Sequence, residues 1–314
     1  MRALLVVNPK ATTTSERGRD VLVRALRSEV SLAVAYTRRR GHAATLAAEA
    51  TNDGVDIVIA VGGDGTVNEA VNGILRAKPS ADAADRPALA VVPGGSTNVF
   101  ARAMGLPKDW ADGTGVILEA LRDGPDGPRC RTIGLGRADD RYFTFCAGLG
   151  MDAEVVRRVE RARLRGRRST LNLYFRAALA QYFLETEWRT HAIILERGDE
   201  PAEPDLAAVI VQNTAPWTYL RDRPINPSPD ASFETGLDVM AMRALHLPST
   251  LRTVAQILSR RPDPHGKRIL RLHDLAGFSL RTHQPLGFQV DGEFLGERDK
   301  VEFAAVPAAL RVVC

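Results

Sequence analysis

Ile57-Val58-Ile59-Ala60-Val61-Gly62-Gly63-Asp64-Gly65-Thr66-Val67-Asn68-Glu69-Ala70 runs from five apolar residues through a glycine turn into a helix-forming segment. Five consecutive apolar residues read as a strand buried on both faces. A strand, a glycine turn and a helix start form the local geometry that holds a phosphate. Glycine lets the backbone approach the anion, and the amide N–H groups and dipole of the helix favour negative charge. Thr66 and Glu69 fit the Ser/Thr-x-x-Glu capping box, which predicts a helix beginning there. Asp64 beside a phosphate requires a metal ion or a reacting proton between the two, so the motif carries chemistry as well as structure.

The pattern recurs about thirty residues later. Leu89-Ala90-Val91-Val92 reads as another buried strand, followed by Pro93-Gly94-Gly95-Ser96-Thr97-Asn98 and a short helix from Val99 to Met104 that Gly105 and Pro107 stop. In a parallel sheet both loops emerge at the carboxyl ends of their strands, where ligands bind. Two such loops suggest one nucleotide held from two sides. Neither fits the Walker, dinucleotide or protein-kinase patterns.

Outward from these loops, residues 1–128 alternate strands (Leu4–Val7, Ser31–Tyr36, Asp56–Val61, Leu89–Val92) with helices (Glu16–Ser28, Ala43–Thr51, Thr66–Arg76). That alternation predicts an α/β domain with a parallel sheet. Gly124-Pro125-Asp126-Gly127-Pro128 reads as a linker. Residues 129–304 carry short β-rich runs at Tyr142–Cys146, Ala192–Glu196, Ala207–Gln212, Leu237–Ala244, Phe278–Arg281 and Phe288–Val290, which predict a β-sandwich. Helical insertions are expected at Ala153–Arg163, Leu171–Glu185 and Ser249–Ser259.

The 314 residues, 45% hydrophobic and 25% charged, are ordinary for a globular protein and sufficient for a sizeable core. No apolar run approaches the roughly 20 residues that span a bilayer. Met1 leads directly towards the first strand, and the three cysteines (Cys130, Cys146, Cys314) have no metal spacing and form no disulfide framework. A cytoplasmic protein without a signal peptide is the expectation. The net charge of +4 suits anionic lipid, nucleotide or nucleic acid and decides among none of them.

At a series of positions the chain resembles the diacylglycerol kinase catalytic family, which includes the sphingosine and ceramide kinases. The resemblance rests on Asn8-Pro9, Thr37, Gly41-His42-Ala43, Gly62 to Glu69, Asn72-Gly73, Pro93 to Asn98, Phe100-Ala101-Arg102 and Gly105-Leu106-Pro107. It continues through Gly148 to Ala153, Pro229-Asp230-Ala231, Gly236 to Val239 and Val290-Asp291-Gly292-Glu293. It implies a Rossmann-like α/β domain of the NAD kinase and diacylglycerol kinase type, completed by a C-terminal strand within 305–314, and a β-sandwich lipid domain.

The resemblance implies ATP binding by Asn8, Pro9, Lys10, Thr37, Gly62, Gly63, Asp64, Gly65, Thr66, Asn68, Glu69, Gly94, Gly95, Ser96, Thr97 and Asn98. Asp64 is expected to organise Mg²⁺ around the phosphates, because hard divalent ions prefer carboxylate and phosphate oxygens. It assigns Glu293 as the general base that takes the proton of the lipid hydroxyl, and Asp152 and Asp291 as substrate contacts. Read alone, Asp291-Gly292 equally forms a hairpin turn with Glu293 as a solvated flank, and Asp152 equally caps a helix. A structural Mg²⁺ of some relatives maps onto Ser232, Thr235 and Leu237 with Glu234 beside them, but Thr235 replaces a carboxylate ligand. Val99 and Gly134 stand where many members have aspartate, which puts a water and metal network in doubt.

Arg157, Arg158, Arg161, Arg163, Arg165, Arg167 and Arg168, against Glu160 alone, read either as a basic amphipathic helix running into a loop, suited to anionic phospholipid at the inner face of the membrane, or as a solvated charge run. No aromatic pattern interleaves them, so no nucleic acid is expected. A homodimer is compatible with the sequence. The expected activity is ATP-dependent phosphorylation of diacylglycerol to phosphatidic acid. Another lipid kinase, a soluble kinase and a catalytically weak nucleotide- or lipid-binding regulator stand as alternatives.

Overall fold

The computed structural model describes residues 1–11, 15–124, 127–165, 193–243 and 245–314. The helix expected at Leu171–Glu185, and Arg167 and Arg168, lie outside them. Two compact units form: Met1–Gly134 with Pro307–Cys314, and Leu135–Val306.

The first unit is an α/β domain. Its parallel strands β1 (Arg2–Val7), β2 (Ser31–Tyr36), β3 (Ile57–Gly62) and β4 (Ala88–Pro93) are joined by the end of the C-terminal strand, which pairs with β4 at Val312↔Leu89. Across the sheet the order is C-terminal strand, β4, β3, β1, β2. Every residue of β3 and β4 is buried, because helices cover both faces of a central parallel strand and leave no solvent side.

The helices are α1 (Glu16–Arg27), α2 (His42–Asn52), α3 (Asp64–Ala77), α4 (Val99–Ala103) and α5 (Trp110–Asp123). Ser15 caps α1 by accepting from the Gly18 amide, and Leu22 and Leu26, one turn apart, point into the core. There they pack with Leu5, Ile59, Val92 and Ile117. Helix α5 was not foreseen. Gly113 and Gly115 lower its intrinsic propensity, and it is set instead by the Asp109 cap, which accepts from the Ala111 and Asp112 amides, and by burial of Ile117 and Leu121.

The second unit is β-rich and antiparallel. In chain order it contains β5 (Cys130–Ala138, begun in the first unit), β6 (Arg141–Phe143), β7 (Cys146–Gly150), α6 (Met151–Leu164), β8 (Ile193–Arg197), β9 (Glu200–Leu206) and β10 (Ala208–Gln212). Then come β11 (Thr218–Leu220), β12 (Arg223–Ile225), β13 (Leu237–Met242), α7 (Leu247–Ile257), β14 (Ile269–Leu275), β15 (Gly277–Val290) and β16 (Glu293–Val313). The run expected at Tyr142–Cys146 is two strands, and those expected at Phe278–Arg281 and Phe288–Val290 are one.

Besides β16, strand β15 serves two neighbours. Ser279–Thr282 pair with β8, Phe288–Val290 pair with β7, and its register against β16 shifts between Arg281 and Leu286. The irregularity turns one strand from the first partner to the second. Phe278 stacks on Phe303 at 5.0 Å between ring centroids and Phe288 meets it edge-on at 6.4 Å, so aromatic packing holds the middle of this core.

Candidate active site

In the first unit the two glycine loops leave adjacent strands, with Gly62 paired to Pro93. They touch: the Gly94 amide donates to the Gly62 carbonyl at 2.8 Å. A Cβ on Gly95 would lie 2.7 Å from the Cα of Gly63, and one on Gly94 2.9 Å from the Cα of Gly62. No side chain fits at that seam, so the glycines let two backbones meet. Asn98 closes the second loop, accepting from the Gly95 amide at 2.8 Å and donating to the Gly95 carbonyl at 2.9 Å, in a left-handed conformation with φ 47°. Asp64 ties the loops together through the Phe100 amide, which donates to its Oδ1 at 3.1 Å.

Asn8, at the end of β1, donates from its side chain to the Thr66 hydroxyl at 3.1 Å and accepts from the Lys10 amide at 3.0 Å. Three strand ends, β1, β3 and β4, therefore converge on the first turn of α3. Gly65 and Ser96 are exposed there, and a Cβ on Gly65 would point into open space. Thr37, after β2, continues the same edge, its amide donating to the Val7 carbonyl at 2.9 Å.

The expected capping box does not form. Helix α3 starts two residues earlier, at Asp64 behind Gly63, with no side-chain cap. Glu69 instead accepts from the Gly41 amide at 2.7 Å and the Ala43 amide at 3.0 Å, so it caps α2. Two backbone donors at an otherwise uncapped helix start attract the carboxylate more strongly than one local amide. Asn68 is buried and accepts from the Asn72 side chain at 3.1 Å.

In the second unit, Asp291 and Gly292 both have positive φ (47° and 75°) and make the two-residue turn between β15 and β16. The buried Asp291 carboxylate accepts from the Thr144 amide and hydroxyl at 2.8 and 2.9 Å, and from the Phe145 and Cys146 amides at 3.0 and 3.1 Å. Those bonds fix the segment between β6 and β7. Glu293, on the next residue, is not a solvated flank. Its side chain is 16% exposed and accepts at 2.9 Å from Arg141, itself 20% exposed.

Asp152 lies in the first turn of α6, half-buried and packed on Gly148, where a Cβ would fall 2.1 Å from its Oδ2. Burial pushes its carboxyl up to about 6, against a smaller opposing pull from the Gln289 side chain. Gln289 donates to Asp152 at 2.6 Å and accepts from the Gly292 amide at 2.9 Å, so it bridges Asp152 to the turn that carries Glu293.

Residues 2–126 match the diacylglycerol kinase catalytic domain. The matching segment lies within the first unit. A diacylglycerol kinase of Staphylococcus saprophyticus is 32% identical over 158 residues, 49% of this chain and 47% of that protein. A "Probable lipid kinase YegS-like" protein of Chromohalobacter salexigens is 36% identical over 152 residues, 48% of this chain and 45% of that one. The chain spans about half the length of the curated relatives it matches. A diacylglycerol kinase structure from Bacillus anthracis superposes with a TM-score of 0.71 over 99% of this chain and 96% of its own, at 19% identity, a likeness of fold.

Further features of the sequence take definite form in the second unit. At 232–237 the Thr235 hydroxyl donates to the Ser232 carbonyl at 3.1 Å, the Ser232 hydroxyl pairs with Glu234, and Leu237 is buried at the start of β13. Among the described residues no three His, Cys, Asp or Glu side chains converge on a metal position. Arg157 pairs with Glu154 at 3.3 Å and Glu297 at 3.2 Å and lies over the Phe294 ring, so it is engaged within the protein. Arg158, Arg161 and Arg165 line a shallow surface cleft on α6. Arg141 and Gln289 were missed in the sequence. Neither sits in a motif, and only the fold places them beside Glu293 and Asp152.

Proposed function

We propose that this protein is an ATP-dependent lipid kinase that phosphorylates the hydroxyl of diacylglycerol to give phosphatidic acid. The observation that carries the reading is the seam of two glycine loops on the first turn of α3, inside a segment that matches the diacylglycerol kinase catalytic domain. Pro9 and Lys10 follow Asn8 on this rim; Gly62, Gly94 and Gly95 let the backbone close up, the Gly94 and Gly95 amides being committed within the seam, and Gly63, Gly65, Thr66, Ser96 and Thr97 offer amides or hydroxyls to the phosphates of ATP.

The oxygen donors of this rim suit Mg²⁺, with Asp64 as the carboxylate, and such an ion would neutralise charge on the β- and γ-phosphates. The residues at 232–237 do not suit one, since the Thr235 hydroxyl is committed to its own loop. In the reaction the lipid hydroxyl oxygen bonds to the γ-phosphorus, the bond to the bridging β–γ oxygen breaks, ADP leaves, and Glu293 takes the hydroxyl proton. Arg141 holds that carboxylate in place, and Asp152 with Asp291 shapes the acceptor side. Anionic phospholipid at the inner membrane face keeps the enzyme near its substrate.

A second acceptor class is favoured by the 36% identical relative whose name gives only a lipid kinase. Phosphate transfer from γ-labelled ATP to diacylglycerol, monoacylglycerol, sphingosine and ceramide in Mg²⁺-containing mixed micelles separates these readings. Labelled phosphatidic acid that disappears with Asp64→Ala is expected. Label on another lipid moves the acceptor, and no labelled lipid overturns the lipid-kinase reading in favour of a soluble acceptor or a regulator.

A further inference from the structure

Helix α7 is built inside out. Its hydroxyl-bearing side faces the protein, with Thr253 buried and donating to the Ser249 carbonyl at 2.9 Å. Its apolar side faces solvent: Leu247, Leu251 and Val254 are 45%, 60% and 44% exposed. These positions, spaced four and three residues apart, form one stripe on a helix. They are three of the six large hydrophobics exposed among the described residues; the others, Met1, Val21 and Tyr36, lie elsewhere in the sequence. A helix that turns its leucines outward leaves apolar area that water penalises and a partner would cover.

The helix is anchored at both ends. Leu245, just before it, is buried against Ala207, and the carbonyl of Leu258, just after it, accepts from the Arg223 guanidinium. Charge selects the partner. Between His246 and Arg268 the chain carries Arg252, Arg260, Arg261, Lys267 and Arg268, all exposed, against one acid, Asp263. Asp263 is paired with Arg271 at 2.6 Å. Apolar side chains flanked by unbalanced cations match an anionic bilayer, whose acyl region takes the stripe and whose headgroups take the arginines.

We infer that α7 is the element through which this protein docks on an anionic lipid surface, with Leu247, Leu251 and Val254 inserted between headgroups. The inference rests on the lipid-kinase reading for its purpose and on exposure and charge for its location. The test is sedimentation of the full chain with phosphatidylcholine vesicles, with and without phosphatidylglycerol, comparing wild type with Leu251→Ser/Val254→Ser and Arg260→Ala/Arg261→Ala. Wild type should pellet with anionic vesicles. Each double variant should partition about tenfold less, given the contribution of each buried apolar group and each cation. The variants should retain wild-type activity on a short-chain diacylglycerol dispersed in water.

Undiminished pelleting of both variants overturns the inference, as does equal binding of wild type to neutral vesicles. A wild-type dimer that Leu251→Ser/Val254→Ser converts to monomer, without vesicle binding, assigns the stripe to a second copy and also overturns it. Vesicle binding lost in the variants while wild type phosphorylates no lipid supports the docking element and removes the kinase reading instead.

Discussion

Asp152 is a half-buried carboxyl that takes its hydrogen bond from an amide side chain, Gln289, and that sets a sign for its effect on stability. Its folded-state value of about 6 lies above the ordinary 3.8. As pH rises through that interval the unfolded chain loses its proton first, so the native state binds more protons and stability falls. The loss is on the order of 3 kcal/mol and is complete above about pH 6. The substitution Asp152→Asn keeps an oxygen for the Gln289 side chain and leaves nothing to ionise. It should therefore gain on wild type from about pH 4 to about pH 7 in urea unfolding; an unchanged difference would mean that Asp152 is not desolvated. Glu293 and Arg141 give a second pair of expectations. Glu293→Gln should lower kcat far more than it weakens ATP binding, because it removes a proton acceptor and no phosphate contact. Arg141→Gln releases the carboxylate without removing it, so kcat should fall about tenfold to a hundredfold, the usual consequence of a misplaced group. Steady-state kinetics with ATP varied checks both, and a rise in KM for ATP alone would place Arg141 and Glu293 outside the proton transfer.

The helices around the glycine loops are held by contacts that the absence of a side chain permits. A Cβ on Gly73 in α3 would lie 2.2 Å from the Ala44 carbonyl oxygen in α2. Gly73→Ala must push the two helices apart and should cost about 1–3 kcal/mol in chemical denaturation. Gly65, in the first turn of the same helix, has no atom near a new Cβ. There alanine should leave the fold intact or stabilise it by about 0.5–1 kcal/mol through helix propensity. A methyl group on the phosphate rim should nonetheless raise KM for ATP, and an unchanged KM would move the nucleotide away from Gly65. The same contrast explains what the sequence could show. Strands β3 and β4 were readable because a strand covered on both faces is written as an unbroken apolar run, and the turns after them because only glycine lets two loops abut. The capping box misled because a local pattern cannot reveal that α2 offers Glu69 two amides from a distant part of the chain. Helix α5 was hidden by Gly113 and Gly115, and the part of β16 that precedes the expected C-terminal strand by the charged run Glu297-Arg298-Asp299-Lys300. Arg141 acquires its role through an ion pair across 152 positions of sequence, which no spacing rule encodes.

The first unit is assembled from both ends of the chain, and its dependence on the last eight residues can be measured. Pro307–Cys314 belong to it, with Leu310, Val312 and Val313 buried. Arg86 donates to the Ala309 carbonyl at 2.9 Å, Arg311 donates to the carbonyls of Ala83, Ala84 and Arg86, and the Cys314 amide donates to the Arg129 carbonyl at 2.9 Å. Burial of three such aliphatic side chains contributes about 1.5–3 kcal/mol each. That sum is comparable with the whole stability of a typical domain, about 5–15 kcal/mol. Removing the segment also uncovers the outer edge of β4 and takes a carbonyl partner from the buried Arg86 guanidinium, whose desolvation then has less compensation. A chain ending at Val306 should lose hydrogen-exchange protection across Ile57–Gly62 and Ala88–Pro93 and fail to bind ATP, whereas Cys314→Ser, which keeps the backbone, should retain both. Wild-type protection of β3 in the shortened chain would show that the first 134 residues close their own core and that the returning strand only covers its edge.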